Sequence, residues 1–476
     1  MDLRLQARWN AFWSPPSSGR GEALLRVGYA SVLGLELIGL RGDLDLYFVS
    51  GGAHPPTIFE ALYARIMVHA LHAIWCVVAA LLLIGVWTRA VTIVNLVLAI
   101  YFFGLRGHAA PHGADWLIHS MAFCLVFMQS DRWLSLSSRR KQAGEPDRVR
   151  GWPLRLAQLS YASLYFTAGL AKLPDPAWRD GTAFASALLN PLVTRFDFTW
   201  TARYPGLTSA AGYFVLIWEL AFPFLLVSRR TRAWAVASAI AFHLGIDWVL
   251  RVGWFGWFSI AHAAVFYDDV AARFRRQPAA ARPSSAPSRR AQAFLLFHAC
   301  AFVAAQAAYL AAPIAGKSPF HMPWLRVPGL SEYVAYVARI QYFNVFPSSY
   351  ILEPVRLITY EARDERGRPR ALAPFDEAGA FRPGLGMSRE VREGLLALRI
   401  VAYGMPAPAW ERYAEHLAKR YSAQHEGCPR QIAFYRILEP LSAFGPDPKA
   451  LEVPRRALVT AHFRCSERRL LRLEFH

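Results

Sequence analysis

The chain has 476 residues, of which 54% are hydrophobic and 14% aromatic while only 18% carry charge. An ordinary soluble chain is about a quarter charged, so water alone does not suit this composition. The formal net charge of +19 brings nucleic acid to mind, but the basic residues crowd into short loops such as Arg139-Arg140-Lys141 and Arg229, Arg230 and Arg232. That placement fits topology signals and anionic headgroups, and no nucleic-acid partner is expected.

Residues 1–22 form a basic, Trp-containing lead without a short apolar stretch ending in a small-residue cleavage site, so a cytoplasmic segment and no cleaved signal are expected. Continuous apolar stretches then centre on Ala23–Leu40, Val68–Trp87, Val91–Leu105, Trp116–Met128 and Leu154–Ala171. Four more lie near Thr208–Val227, Ala233–Leu250, Val252–Tyr267 and Ala291–Ile314. Unbroken apolarity of this length predicts helices, and about nine crossings of a membrane, several of them at or below the ~20 residues a span wants.

The loops set a direction. Arg89 follows the second stretch, Arg132 to Arg150 the fourth, Arg229 to Arg232 the sixth and Arg273 to Arg290 the eighth, whereas Asp43, Asp45, His54, His108, His112 and Asp115 lie in the alternate loops. The positive-inside rule then puts the N-terminus in the cytoplasm and the C-terminal part outside it. The loop 268–290 is cytoplasmic in this register, and Pro278–Arg290, rich in Pro, Ser, Ala and Arg, reads as a flexible linker.

The expected fold is therefore an α-helical integral membrane bundle of about nine spans over 23–312, with a soluble extracytoplasmic α+β domain over 313–476. In that domain Ile351–Glu361 alternates loosely and runs into the polar turn Arg363-Asp364-Glu365-Arg366-Gly367-Arg368, as in a hairpin. Arg455–Cys465 and Arg468–Phe475 read as strands, and Glu390–Tyr403 and Ala409–Tyr421 as helices. Cys76, Cys124 and Cys300 sit in membrane helices as small hydrophobes. Cys428 and Cys465 lie in the outer domain, where an oxidising compartment permits a disulfide that spacing alone leaves open.

The most informative stretch is Gln158 to Gly181, an aromatic helix that ends in Lys172 and a Pro/Asp/Trp/Gly turn. The lysines of the chain are Lys141, Lys172, Lys317, Lys419 and Lys449, and every other one of its 53 basic residues is arginine. An amine flanked by Leu170, Ala171 and Leu173 can give up its proton when desolvated, which a guanidinium cannot do, so Lys172 is a candidate base. The alternative is a lysine that snorkels to the interface and meets the helix C-terminal dipole. On the same side lie Asn190, His112, Asp115, His119, His243, Asp247 and His262, and ionisable residues at membrane depth are functional candidates. The histidines also suit a role as core residues bonded to backbone. A metal site built from His108, His112, Asp115 and His119 has loose spacing, and no metal is expected.

Tyr165-Phe-Thr-Ala-Gly-Leu-Ala-Lys-Leu-Pro-Asp-Pro-Ala-Trp-Arg-Asp-Gly181 resembles the signature of the vitamin K-dependent gamma-glutamyl carboxylase family. Bacterial relatives of that family are called horizontally transferred transmembrane (HTTM) domain proteins. Ala122-Phe-Cys-Leu-Val-Phe-Met-Gln-Ser-Asp-Arg132 with Trp133 is similar to a second segment of the family, and Ala241-Phe-His-Leu-Gly-Ile to a third. The resemblance runs over about residues 20 to 350. It implies a multi-pass protein of the bacterial inner membrane and lyase-type chemistry, in which Lys172 starts proton abstraction from a reduced vitamin K-type quinone such as menaquinol. Dioxygen and carbon dioxide are the implied co-substrates. Beside Lys172, the further candidate catalytic residues are His112, His119 and His243, and the candidate contacts to substrate or quinone are Tyr165, Trp178, Asp115 and Asp247. The implied partners are the lipid bilayer, the quinone and a secreted peptide. The chain departs from the family near Ala114 and His112 and at Tyr342-Phe-Asn-Val-Phe-Pro347, so propeptide recognition is not carried over. A different expectation is an accessory protein for peptide maturation, export or immunity with no reaction of its own. A transporter is disfavoured because no inverted repeat is evident.

Overall fold

The computed structural model describes residues 3–15, 17–49, 58–106, 112–139, 150–189, 194–274, 285–314, 329–338, 355–370, 372, 407–425, 427–439, 456–465 and 469–475. The bundle begins with α1 (Leu3–Trp13), α2 (Arg20–Leu40), α3 (Ile58–Ile84), α4 (Thr88–Ala99, continued by a π-helical stretch over Ile100–Arg106) and α5 (Gly113–Phe127). Then follow α6 (Gly151–Lys172), the short α7 (Ala183–Leu189), α8 (Pro205–Val227), α9 (Arg229–Val249), α10 (Phe255–Ala263) and α11 (Arg289–Ile314). Each of the nine apolar stretches forms a helix, but nine spans are not shown. Among the described residues five helices are long and apolar enough to cross a membrane: Arg20–Leu40, Ala64–Ile84, Thr88–Leu105, Pro205–Val227 and Arg289–Ala308. At 1.5 Å per residue the 21 residues of α2 extend ~31 Å, about the thickness of a hydrocarbon core.

The remaining helices fall short for identifiable reasons. α5 has 15 residues and α10 only 9. α6 carries Arg155, Gln158 and Lys172, and α9 opens on Arg229, Arg230 and Arg232, so their apolar runs are interrupted by charge and amide. α5 and most of α6 are buried, whereas α3 and α8 turn Ile66, Val77, Phe214 and Ile217 outward as lipid contact requires. The chain is thus a multi-pass membrane protein in which the buried helices α5 and α6 are packed among apolar helices with exposed faces.

One rim of the bundle is tied by Arg26. Its fully buried guanidinium donates to the carbonyls of Ser130 (3.0 Å), Leu83 (2.9 Å) and Leu134 (2.6 Å), and also to that of Leu82. The Trp133 indole donates to the Ser18 carbonyl at 2.8 Å, and the Arg20 guanidinium sits 4.6 Å from its ring centroid. The Asp131-Arg132-Trp133 turn that shares in the family resemblance is therefore a latch joining α2, the end of α3 and the chain after α5. On the same rim Arg232 pairs with Asp269, and Arg155 donates to the Phe12 carbonyl at 2.9 Å.

Beyond the bundle, β1 (Val355–Arg363), β2 (Pro369–Arg370), β3 (Gln431–Glu439), β4 (Arg456–Arg464) and β5 (Arg469–Phe475) form one antiparallel sheet in the order β2-β1-β3-β4-β5. α12 (Ala407–Gln424) lays Trp410 and Tyr413 against Phe434. The expected hairpin, the two C-terminal strands and the helix near Ala409–Tyr421 are present. β3 is an addition, and the expected helix Glu390–Tyr403 lies outside the described residues. Cys428 and Cys465 are joined by a disulfide, with Cα atoms 5.5 Å apart. His416 Nε2 of α12 lies 3.4 Å from Asp43 Oδ1, just past the end of α2.

Candidate functional site

The site is built where α6 meets α8. Gly169 faces α8 so closely that a Cβ there would stand 2.9 Å from the Leu220 side chain and 3.2 Å from its backbone nitrogen. Small residues at helix crossings in membranes let backbones approach in this way. One turn further along α6, the approach brings the Lys172 ammonium onto Glu219 of α8, with Nζ 2.7 Å from Oε2 and 3.0 Å from Oε1. Lys172 is 1% exposed and Glu219 6%. Nζ also reaches the Ala168 carbonyl at 3.4 Å and stands 5.0 Å from the centroid of the Trp178 ring.

The turn after α6 explains the rest of the motif. Asp175 accepts from the Ala177 backbone N–H at 3.0 Å and Pro176 starts a single helical turn that carries Trp178 over the amine. Gly181 has φ +75°, a left-handed conformation, and a Cβ there would meet Ser209 at 2.8 Å. The order glycine, lysine, tryptophan, glycine is therefore a set of packing and conformational demands around one buried ion pair.

That pair forms the polar end of a cavity of about 360 Å³ whose other walls come from α6, α7, α8 and α9 and are nearly all apolar. Its size falls within the roughly 300–1,000 Å³ of small-molecule sites. Tyr165 and His243 line it as well, with Tyr165 Oη 2.8 Å from His243 Nε2. The Tyr165 hydroxyl also donates to Tyr161 Oη at 3.0 Å. A second cavity of about 320 Å³ lies between α5, α6 and α11, and its polar lining is limited to Ser120, Ser160, Ser163, Cys124 and His298 without a charged group.

The expected site residues divide into two sets. Lys172, Tyr165, Trp178 and His243 come together at the first cavity. His112 instead caps α5, accepting from the Ala114 N–H at 3.2 Å, and its own N–H donates to Asp115 at 2.9 Å. His119 is bonded to the Val337 carbonyl at 3.2 Å, His262 to that of Ala157 at 3.1 Å, and Asp247 accepts from the Trp257 indole at 3.2 Å. None of these five lines the cavity, and Asn190 lies outside the described residues. Among the described residues no group of three or more His, Cys, Asp and Glu is placed to hold a metal.

Glu219 is the residue that sequence reasoning missed. The signal was present: α8 carries no other acidic residue along its apolar length, and a carboxylate at membrane depth requires a partner. Two buried opposite charges at 2.7 Å cost considerable desolvation, and removing one partner leaves the other stranded.

No curated protein and no solved structure has significant similarity to the chain. A family model, the HTTM domain, matches residues 22–269, more than half of the 476-residue chain. The matched region holds the latch at Arg26 and Trp133, the ion pair of α6 and α8 and the histidine of α9, and the chain belongs to the HTTM-domain family, related to the gamma-carboxylases.

Proposed function

We propose that the cavity takes a lipid-soluble ring compound bearing an acidic hydroxyl, a reduced quinone of the vitamin K type, and that Lys172 and Glu219 together remove its hydroxyl proton. The observation that carries this reading is the Lys172–Glu219 pair closing one end of an otherwise apolar space. Phe214 of the cavity wall is also exposed on the outer face of α8, where a lipid-soluble ligand would have access, and the apolar walls fit its ring.

The two residues divide the proton transfer. Lys172 passes one of its own protons across 2.7 Å to Glu219 and takes the hydroxyl proton in its place. The ammonium is regenerated beside the oxygen that has given up its proton, and Glu219 ends neutral. No charge is created in the dry site without a counter-charge in contact. Trp178 holds the amine by its ring face and shields it from water. Arginine in place of Lys172 keeps the charge, but its guanidinium does not release a proton to a carboxylate in a protein. When bound, the reduced quinone supplies the oxygen-dependent chemistry that the related carboxylases use on glutamate, and the peptide substrate is part of this proposal.

Oxygen-dependent consumption of menaquinol by the protein in lipid nanodiscs, with bicarbonate and a glutamate-containing peptide present, tests the reading. Positioned acid–base groups contribute about 10²–10⁴-fold, so Lys172→Arg and Glu219→Gln each lose at least about 100-fold. Equal rates for wild type and both variants overturn it.

A further inference from the structure

The second cavity, between α5, α6 and α11, takes no part in the transfer between Lys172 and Glu219. Its lining residues follow the three- and four-residue spacing of a single face on each helix, and Ser120, Ser160 and His298 fall within those faces. Ser120 Oγ lies 2.7 Å from Ser160 Oγ. Two hydroxyls carry two hydrogens and the bond between them uses one, so the pair has a hydrogen left to donate. Ser163, by contrast, donates within α6 to the Ser160 carbonyl at 2.8 Å. His298 stacks on Phe123 with centroids 5.6 Å apart, and its Nδ1 is 2.7 Å from Tyr333 Oη. A phenol beside an imidazole nitrogen donates to it, which puts the ring proton on Nε2. Nε2 has no hydrogen-bond partner among the described residues, and unlike Nδ1 of His243 and of His262 it is not an enclosed atom.

We propose that this cavity is a second binding site, for an uncharged lipid-soluble compound whose carbonyl oxygen accepts from His298 Nε2–H and from the Ser120–Ser160 pair. The lining holds donors and no charged group, so a charged ligand would be buried without a counter-charge. A carbonyl oxygen has two lone pairs and no hydrogen of its own to satisfy, which matches a wall of donors. Ser160 and His298 each lie nine residues past the start of their helices, Gly151 and Arg289, or ~14 Å along the axis. In a hydrocarbon core about 30 Å thick that is close to the midplane, too deep for the glycerol esters of bilayer lipids. The ligand is therefore a molecule that carries its polar group into the membrane interior. Leu159 and Val303 line the cavity and are 40% and 65% exposed, so its mouth opens between α6 and α11. This site stands independently of the reading of the first cavity.

The test is equilibrium binding of 2-undecanone, 2-undecanol and undecane to the full chain in nanodiscs, with empty nanodiscs as the reference. The wild type binds the ketone about tenfold tighter than the alkane, the worth of one satisfied buried polar group, with the alcohol between them. His298→Phe, and Ser120→Ala combined with Ser160→Ala, each reduce that preference several-fold. Ala299→Phe fills the space and removes the protein-dependent binding of all three probes. As a readout that needs no variant, the ¹³C resonance of a labelled ketone carbonyl moves downfield on binding to the wild type, as it does on accepting a hydrogen bond. Equal binding of ketone and alkane, or an unshifted carbonyl resonance, overturns the proposal. Tighter binding of the alcohol than of the ketone overturns the assignment of a carbonyl ligand. An undiminished preference in His298→Phe, or ketone binding that survives Ala299→Phe, puts the ligand elsewhere and overturns the site.

Discussion

At Lys172 and Glu219 the chain commits two charges to a place where neither is stable alone. Glu219→Leu leaves the ammonium buried without its counter-charge and lowers unfolding stability by about 3–5 kcal/mol. The double replacement Lys172→Met with Glu219→Leu recovers most of that loss, because a well-packed apolar pair is a fair substitute in energy though not in chemistry. Thermal unfolding of the wild type and both variants in nanodiscs measures this, and a double variant as unstable as the single one contradicts it. Lys172 was legible in the sequence because the chain uses arginine almost everywhere else, so a lysine stands out as a choice of chemistry. Glu219 was not singled out because its neighbours on both sides are apolar and no motif surrounds it. Its meaning depends on which helix α8 touches, and that is a tertiary fact. His112 and Asp115 show the opposite limit: their polarity was legible, but the sequence does not distinguish a helix cap from a ligand contact.

Between elements, the decisive contact is the crossing of α6 and α8 at Gly169. A branched side chain there meets backbone as well as the Leu220 side chain, so the neighbouring helix has to move. Gly169→Val costs about 1–3 kcal/mol of overpacking and separates Lys172 from Glu219. Cross-linking of cysteines placed at Ala168 and Leu220 reports the change, with slower cross-linking in the Gly169→Val background. An unchanged rate contradicts the assigned role of the glycine. The apolar stretches marked nine of the helices α1–α11 in the sequence, since continuous apolarity survives any arrangement of neighbours, while α1 and the short α7 lay outside them. Which of them cross a membrane unaided was less legible, because inner helices such as α6 trade apolar residues for contacts with other helices rather than with lipid. In the sheet, β3 escaped notice because a run such as Ile432-Ala-Phe-Tyr lacks the clean alternation of a half-exposed strand. It is central, between β1 and β4, and both its faces are used.

Over the whole molecule, helix ends alternate so that the basic loops gather on the rim latched by Arg26, while Lys172 and the turn at Trp178 lie at the opposite end of α6. The positive-inside rule predicts that the first rim faces the cytoplasm. Single cysteines introduced at Leu136 and Trp200, with Cys76, Cys124 and Cys300 replaced, are labelled by a membrane-impermeant thiol reagent from opposite sides of the membrane. Leu136→Cys reacts in inside-out vesicles and Trp200→Cys in right-side-out ones. Labelling of both from one side contradicts this orientation.

The proposed proton transfer runs from a hydroxyl held in the cavity to the ion pair of α6 and α8 beside it. The absorption spectrum of bound 1-naphthol reports that event directly, since the ionised form absorbs at longer wavelength than the neutral one. The expected result is the ionised spectrum in the wild type and the neutral spectrum in Lys172→Arg and Glu219→Gln at equal occupancy. A neutral spectrum in the wild type, with naphthol fully bound, contradicts it.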